Sequence, residues 1–248
     1  MGRSLGVNGK ERALMREILG RRRKISSRRK ARTASRDAAL AYAEQWNWRV
    51  VPGVGFDRRG HRRPAAEQVC ACPRANCPVP GAHPLDPGLL AATSDPRMVG
   101  WWWAERPEAP IVLATGHGVS AASLPAVAGE RALDVIEHLG VRLGPVLATP
   151  TRYVFLVAPY SLDELGELLD SQDWVPTSLR YHGDGGYIPL PQSASAGTGA
   201  AGEGELRWVR APLAEEGQDA PWLPRIGTLV DALVRAGRTA PDNDRLRY

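Results

Sequence analysis

Apolar positions along the chain fall into short runs cut by glycine, proline and small polar residues, and the spacing within each run assigns it. Residues 37–45 carry Ala39, Leu40 and Ala43 at helical spacing, and the aromatic run 48–51 reads as a strand. Residues 53–63 read as a polar turn segment, followed by a cysteine cluster and a proline-rich stretch through Pro87. Ser94-Asp95-Pro96 is a helix start, and that helix runs through Trp101-Trp102-Trp103 and stops before Pro107. Residues 111–115 form a short buried strand ended by Gly116-His117-Gly118, and Pro125 opens a helix over 126–139 closed by Gly140. Strands are predicted over 145–149 and 153–158, and Ser161-Leu162-Asp163-Glu164 is a capping box for a helix ending near Asp170. Two more strands, 187–190 and 206–210, flank a Gly/Ala/Ser-rich segment at 193–204 that reads as a mobile loop. A last helix, 226–235, aligns Ile226, Leu229, Val230 and Leu233 on one face. Helices alternate with strands and strands then predominate, which predicts an α+β (mixed α/β) core without internal repeats.

Composition leaves this picture standing: 43% hydrophobic and 24% charged residues are ordinary for a globular chain of 248 residues. Charge changes it. The formal net charge of +5 conceals an arm and a body of opposite sign. Through Arg36 there are 13 Lys/Arg against two acidic residues, so the remainder of the chain is net negative. Within residues 1–34 a short helix at 11–18 (Leu14, Met15, Ile18) leads into Arg21, Arg22, Arg23, Lys24 and then Arg28, Arg29, Lys30. Such blocks repel themselves, and they either stay a solvated, disordered tail or bind polyanions. No run approaches the ~20 apolar residues of a membrane helix, and the basic N-terminus lacks the apolar centre of a secretion signal. The expected compartment is cytoplasmic.

All three cysteines crowd into eight positions, which argues against a disulfide framework. Cys70-x-Cys72-x4-Cys77-x5-His83 instead offers three thiolates and an imidazole, a set suited to tetrahedral zinc. The surrounding Pro73, Pro78, Pro80 and Gly81 have no apolar periodicity, so a metal would supply the order that core burial cannot. Four ligands close the shell, which predicts a structural Zn2+ rather than a catalytic one. A deaminase pattern, His-x-Glu with Pro-Cys-x-x-Cys, is absent.

Three consecutive tryptophans on a helix cannot share one face, so Trp101–Trp103 divide between core and surface and do not form one stacking platform for bases. His117 between two glycines is either a phosphate contact or part of a plain tight turn. His138 lies at a helix C-terminus, where an imidazole favours the dipole.

The order of the pieces carries more than any one of them. An Ala-rich helix and a strand ending Val51-Pro52 precede the cysteine cluster and Pro80-Gly81-Ala82-His83-Pro84. Ala92-Thr93-Ser94-Asp95-Pro96, Trp101-Trp102 and Ile111-Val112-Leu113-Ala114-Thr115-Gly116 follow. Thr149-Pro150-Thr151 and Gly183-Asp184-Gly185-Gly186-Tyr187-Ile188-Pro189-Leu190-Pro191-Gln192-Ser193 come next, then Arg207-Trp208. This series, over about residues 35–212, resembles the N-terminal domain of bifunctional DNA primase/polymerases in the form common in actinobacteria. The resemblance implies a primase-polymerase core related to the RNA-recognition fold, with a zinc-bearing insertion. It also implies nucleotidyl transfer by carboxylates holding two divalent metals. By the same resemblance an acidic pair follows the Ala-Thr-Gly strand, a histidine lies on the strand after Thr-Pro-Thr, and an aspartate precedes the Gly-Asp-Gly-Gly-Tyr turn.

This chain departs at all three places. Ser120 and Ser123 stand where the acidic pair is expected, Arg152-Tyr153-Val154-Phe155 has no histidine, and Arg180 stands at the aspartate. Hydroxyls are weak ligands for Mg2+ and a guanidinium repels it. Asp184 sits among glycines, where its simpler role is turn chemistry. The sequence therefore predicts three parts: a basic, disordered or helical arm (1–34), a primase-polymerase-like domain (35–238) with a zinc knuckle at about 68–86, and a flexible tail (239–248). Its expected partners are DNA or RNA through the arm, and a nucleotide, with polymerase chemistry lost or much reduced and no catalytic residue assigned. Two other readings stay open. One is an active divergent enzyme, which alone would need Mg2+ or Mn2+; the other is a zinc-stabilised regulatory or scaffold protein.

Overall fold

The computed structural model describes residues 33–57, 69–192, 206–214, 217–218 and 220–239. The arm cations Arg21 to Lys30, the expected helix at 11–18, the loop at 193–204 and residues 240–248 lie outside the described residues. The described residues fold as a mixed α and β structure of five α-helices and two antiparallel sheets. Helix α1 occupies 33–46, and strands β1 (Val50–Gly55) and β2 (Gly81–Pro84) follow. A 3-10 turn, Leu89–Ala91, precedes α2 (Pro96–Glu105) and β3 (Ile111–Ala114). Then come β4 (Ser120–Pro125), α3 (Ala126–His138), β5 (Val146–Ala148), β6 (Arg152–Val157) and α4 (Leu162–Asp170). Strands β7 (Arg180–His182), β8 (Tyr187–Leu190) and β9 (Arg207–Arg210) lead to α5 (Ile226–Thr239).

The helix signals act as expected. The Asp95 side chain accepts from the Arg97 N–H with Pro96 at the first helical position, and the Ser161 hydroxyl accepts from the Glu164 N–H. Gly140 follows α3 in the left-handed region at φ 66°. His138 bonds the Asp134 carbonyl at 2.7 Å, within its own last turn. Trp102 and Trp103 are buried, with the Trp103 indole donating to the Ala109 carbonyl, while Trp101 stays 59% exposed.

Sheet one runs β2-β1-β3-β8 and sheet two runs β7-β4-β6-β5-β9. Sheet one curls until residues of its outer strands β2 and β8 lie within 8 Å. Sheet two is the middle layer of the molecule. Ala121, Leu147, Val154, Leu156 and Trp208 join one core with sheet one, α1 and α2. Ala122, Leu124, Val146, Phe155 and Val157 face the other core, under α3, α4 and α5. The strand alternation thus sends successive residues into two different cores. Tyr42 of α1 ties the first core together: its ring stacks on Trp48, its hydroxyl donates to the Pro191 carbonyl, and the Trp208 indole donates to it.

Three strands depart from the sequence expectation. β4 is Ser-Ala-Ala-Ser-Leu-Pro, whose small residues show no strand periodicity because both faces are buried at close quarters. β7 is three polar residues held by pairing with β4. The end of β1 takes the start of the expected polar turn at 53–63, and β2 lies in the expected proline-rich stretch: Gly53 and Gly55 pair with Pro84 and Gly81 across a register shift. The final helix extends to Thr239 and the first occupies 33–46, so both are longer than the expected helices at 226–235 and 37–45.

Candidate functional site

The cysteine segment hangs on the end of β1. Phe56 bridges Cys70, the Ala71 N–H donates to the Gly55 carbonyl at 3.1 Å, and β2 returns the chain to β1. Gly81 sits at φ +76°, and a Cβ there would meet the Phe56 ring at 2.6 Å, so this corner admits glycine only. The result brings Cys70, Cys72, Cys77 and His83 together, with their ligand atoms all within 4.8 Å of one another. Sulfurs on one tetrahedral zinc would lie about 3.8 Å apart, so small shifts complete the site.

The chemistry of the donors fits a metal as well as the spacing does. The His83 Nδ1–H donates to the Pro84 carbonyl at 3.1 Å, which leaves Nε2 bare and 3.3 Å from the Cys70 sulfur. Metal-bound histidines use their second nitrogen in this way. The Gly81 N–H donates to the Cys70 sulfur at 3.2 Å. The other two thiols are pushed apart. Desolvation raises Cys72, but hydrogen bonds with the Arg74 backbone, Cys70, His83 and Cys77 outweigh it and bring the thiol to about 7. Burial, reinforced by Cys72 and Cys70, pushes Cys77 up to about 11. Crowded thiols that share one negative charge behave so, and a divalent cation removes the conflict.

A second constellation lies where β3 of sheet one continues into β4 of sheet two and β7 of sheet two returns into β8 of sheet one. The loop Thr115–Val119 and the turn Gly183–Gly186 stack on each other. The Thr115 hydroxyl donates to the Gly183 carbonyl at 2.6 Å, and its N–H to the Gly186 carbonyl at 3.0 Å. Gly116, at φ +101°, lies so close to Asp184 that a Cβ would strike its backbone. Asp184 is highly exposed, caps the Gly185 N–H at 3.0 Å and stands 3.8 Å from His117. Asp184 belongs to turn chemistry, and His117 stands exposed beside it.

Beside this junction, one face of sheet two carries Ser123, Arg152, Arg180 and His182. Ser123 pairs with Arg180, Ala121 with His182 and Pro125 with Arg152, so all four side chains share a face. The Arg152 Nε–H donates to the Ser123 hydroxyl at 3.0 Å, and its terminal nitrogen donates to the carbonyls of Ser123 and Ser178 at 2.7 and 2.6 Å. The Ser123 hydroxyl then donates to Nε2 of His182 at 3.0 Å, and the imidazole bonds the Tyr187 backbone. Ser123 is wholly buried, so this serine–histidine pair is a structural relay and offers no nucleophile to solvent. Ser120 is also fully buried but points to the opposite face, beneath the helices. Residues three apart on a strand cannot share a ligand, so Ser120 and Ser123 do not occupy equivalent places in one metal site. The sequence offered no signal for His182 or for the internal bonding of Arg152, because both depend on the β4–β7 and β4–β6 registers.

Desolvation, followed by the charges of Arg152 and Arg180, lowers the His182 imidazole to about 4, with the Tyr187 backbone hydrogen bond opposing them. An unfolded histidine titrates near ~6.5, so between the two values the unfolded chain binds more protons. The stabilisation is complete above the unfolded value and is lost as pH falls toward 4. Its size is on the order of 3 kcal/mol. Urea unfolding at pH 7.5 and 4.5 is expected to show that loss in the native chain and a clearly smaller one in His182→Gln. Equal losses in both would remove His182 as the source.

A model of the family described as Bifunctional DNA primase/polymerase, N-terminal, matches residues 39–223. The chain belongs to this family. Comparison with curated proteins and with solved structures gives no significant match. The family's reaction calls for carboxylates around two divalent metals. The residues on this face do not fit that requirement: positions 121, 123 and 125 are Ala, Ser and Pro, and the neighbouring strands contribute Arg152, Arg180 and His182. No described helix is long and apolar enough to cross a membrane.

Proposed function

We propose that this chain is a primase-polymerase-like domain that binds nucleic acid or a nucleotide and has lost, or nearly lost, polymerase chemistry. Family membership supports the first half of that reading. The observation that carries the second half is the cationic face of sheet two, where Arg152 and Arg180 take the ground that metal-binding carboxylates would need. An antiparallel sheet with helices packed on one face also supports a relation to the RNA-recognition fold. On this reading residues 35–238 are the domain, residues 1–34 are a nucleic-acid-binding arm and residues 239–248 are a tail. Arg21, Arg22, Arg23, Lys24, Arg28, Arg29 and Lys30 supply the arm's charge.

The metal-compatible cluster is read as a structural zinc knuckle. Cys70, Cys72, Cys77 and His83 would hold Zn2+, whose contribution is to fix the loop between β1 and β2. Residues of this chain do the rest, with Gly81 turning the corner and Phe56 covering it.

Arm-mediated binding would be sequence-independent and steeply salt-dependent, since each neutralised phosphate releases a counterion. Single-stranded DNA binding is expected at low salt with the whole chain. The affinity should fall at least tenfold when residues 1–34 are removed, with a shallower salt slope. Absence of binding with the arm intact would favour a regulatory or scaffold role instead.

A further inference from the structure

The cationic face has a further consequence, which rests on the reading of sheet two as a site without catalytic metals. We propose that Arg180, with Arg152 and His182 behind it, forms a phosphate-binding site that works without a divalent cation. The geometry divides the labour. Arg152 is tied to Ser123 and Ser178, so it is a fixed positive charge with a set orientation. His182 is held neutral with its nitrogens engaged by Ser123 and the Tyr187 backbone, so it neither competes for the anion nor adds charge. Arg180 lies on the edge strand β7, opposite Ser123, and is exposed. Among the described residues no carboxylate pairs with it.

Arg152 bonds the hydroxyl and carbonyl of Ser123, and Arg180 is paired opposite Ser123, so two guanidinium-bearing residues flank one position of β4. Like charges held close cost free energy, and an anion offsets that cost. A planar guanidinium with parallel N–H donors matches a phosphate oxygen pair and stays charged at every accessible pH. A phosphoryl group placed against Arg180 would therefore meet two positive charges where related chemistry would require metal ions. The same group could come from a nucleotide or from free polyphosphate.

Isothermal titration of the whole, metal-loaded knuckle protein with inorganic pyrophosphate, and separately with ATP, separates the sources. Mg2+ is withheld during purification and from the titration buffer, and no chelator strong enough to strip the knuckle is added. Binding is expected under these conditions, and Arg180→Ala is expected to weaken it at least tenfold while Arg180→Lys keeps part of it. The basic arm is common to all three proteins, so the difference reports on this face. Equal affinities for the two probes assign the site to free polyphosphate, and tighter ATP binding assigns it to a nucleotide. No binding of either probe without Mg2+, or binding unchanged in Arg180→Ala, overturns the proposal. Either negative result combined with intact single-stranded DNA binding would leave the nucleic-acid reading in place. Arg180 is exposed, and matching thermal melts of the three proteins exclude a folding defect.

Discussion

Cys70→Ser is expected to release the metal and to destabilise the region between β1 and β2 by more than about 4 kcal/mol, the scale reached when a structural metal is lost. The reason is the concentration of roles at one side chain. Cys70 is the buried member of the ligand set, pairs with Phe56 at the end of β1 and accepts the Gly81 N–H. Serine keeps the shape but is a poor ligand for zinc, and the remaining Cys72, Cys77 and His83 cannot close a tetrahedral shell alone. Proline-rich chain without periodic apolar residues has little else to hold it. Metal analysis should find one zinc per native chain and substantially less in the variant. Amide exchange at Ala71 and Gly81, slow in the native protein, should become fast both in Cys70→Ser and after strong chelation. Unchanged protection at those amides with the metal removed would contradict a structural role.

The second large effect is expected at Arg152. Its guanidinium serves the hydroxyl and carbonyl of Ser123 and the carbonyl of Ser178. Arg152→Met fills similar space and leaves these acceptors without their donor, a loss of about 3–4 kcal/mol. For a chain of this size that is roughly a 10 °C fall in melting temperature. Arg152→Lys restores the charge without the planar fork and should recover only part of the stability. A second readout separates the network from general packing: removing this charge should raise the His182 titration, measurable by NMR, since Arg152 is one of the charges that lowers it. A melting temperature within 2 °C of the native value, a change of about 0.5–1 kcal/mol, would show that the network is dispensable.

Much of the fold was legible because its long elements carry their own signals. The helix at Pro96–Glu105 is announced by Asp95-Pro96, and Leu162–Asp170 by Ser161 with Glu164. The ligand cluster was legible for a similar reason, since its chemistry is local in sequence: thirteen positions separate Cys70 from His83. What stayed hidden depends on pairing. β4 has no strand-like composition, because a layer buried on both sides selects small residues such as Ala121 and Ala122. β7 is too short to carry any period. The polar face of sheet two could not be read for that reason. Ser123, Arg152 and His182 are 29 and 59 residues apart in the chain when measured from Ser123, and only the registers of β4 with β6 and β7 put them in contact. The sequence placed serines where carboxylates were expected, but not that one of them faces away from the other.

Template-directed primer synthesis tests the central claim most directly. The full-length protein, with its knuckle metal retained, is given single-stranded template and nucleotides with Mg2+ or Mn2+. The expected result is no template-dependent product above a no-enzyme control with either ion, because the face that should hold the metals carries Arg152 and Arg180 and no carboxylate. Robust template-dependent product that rises with Mn2+ and disappears on chelation of the added ion would contradict the account and establish an active, divergent enzyme.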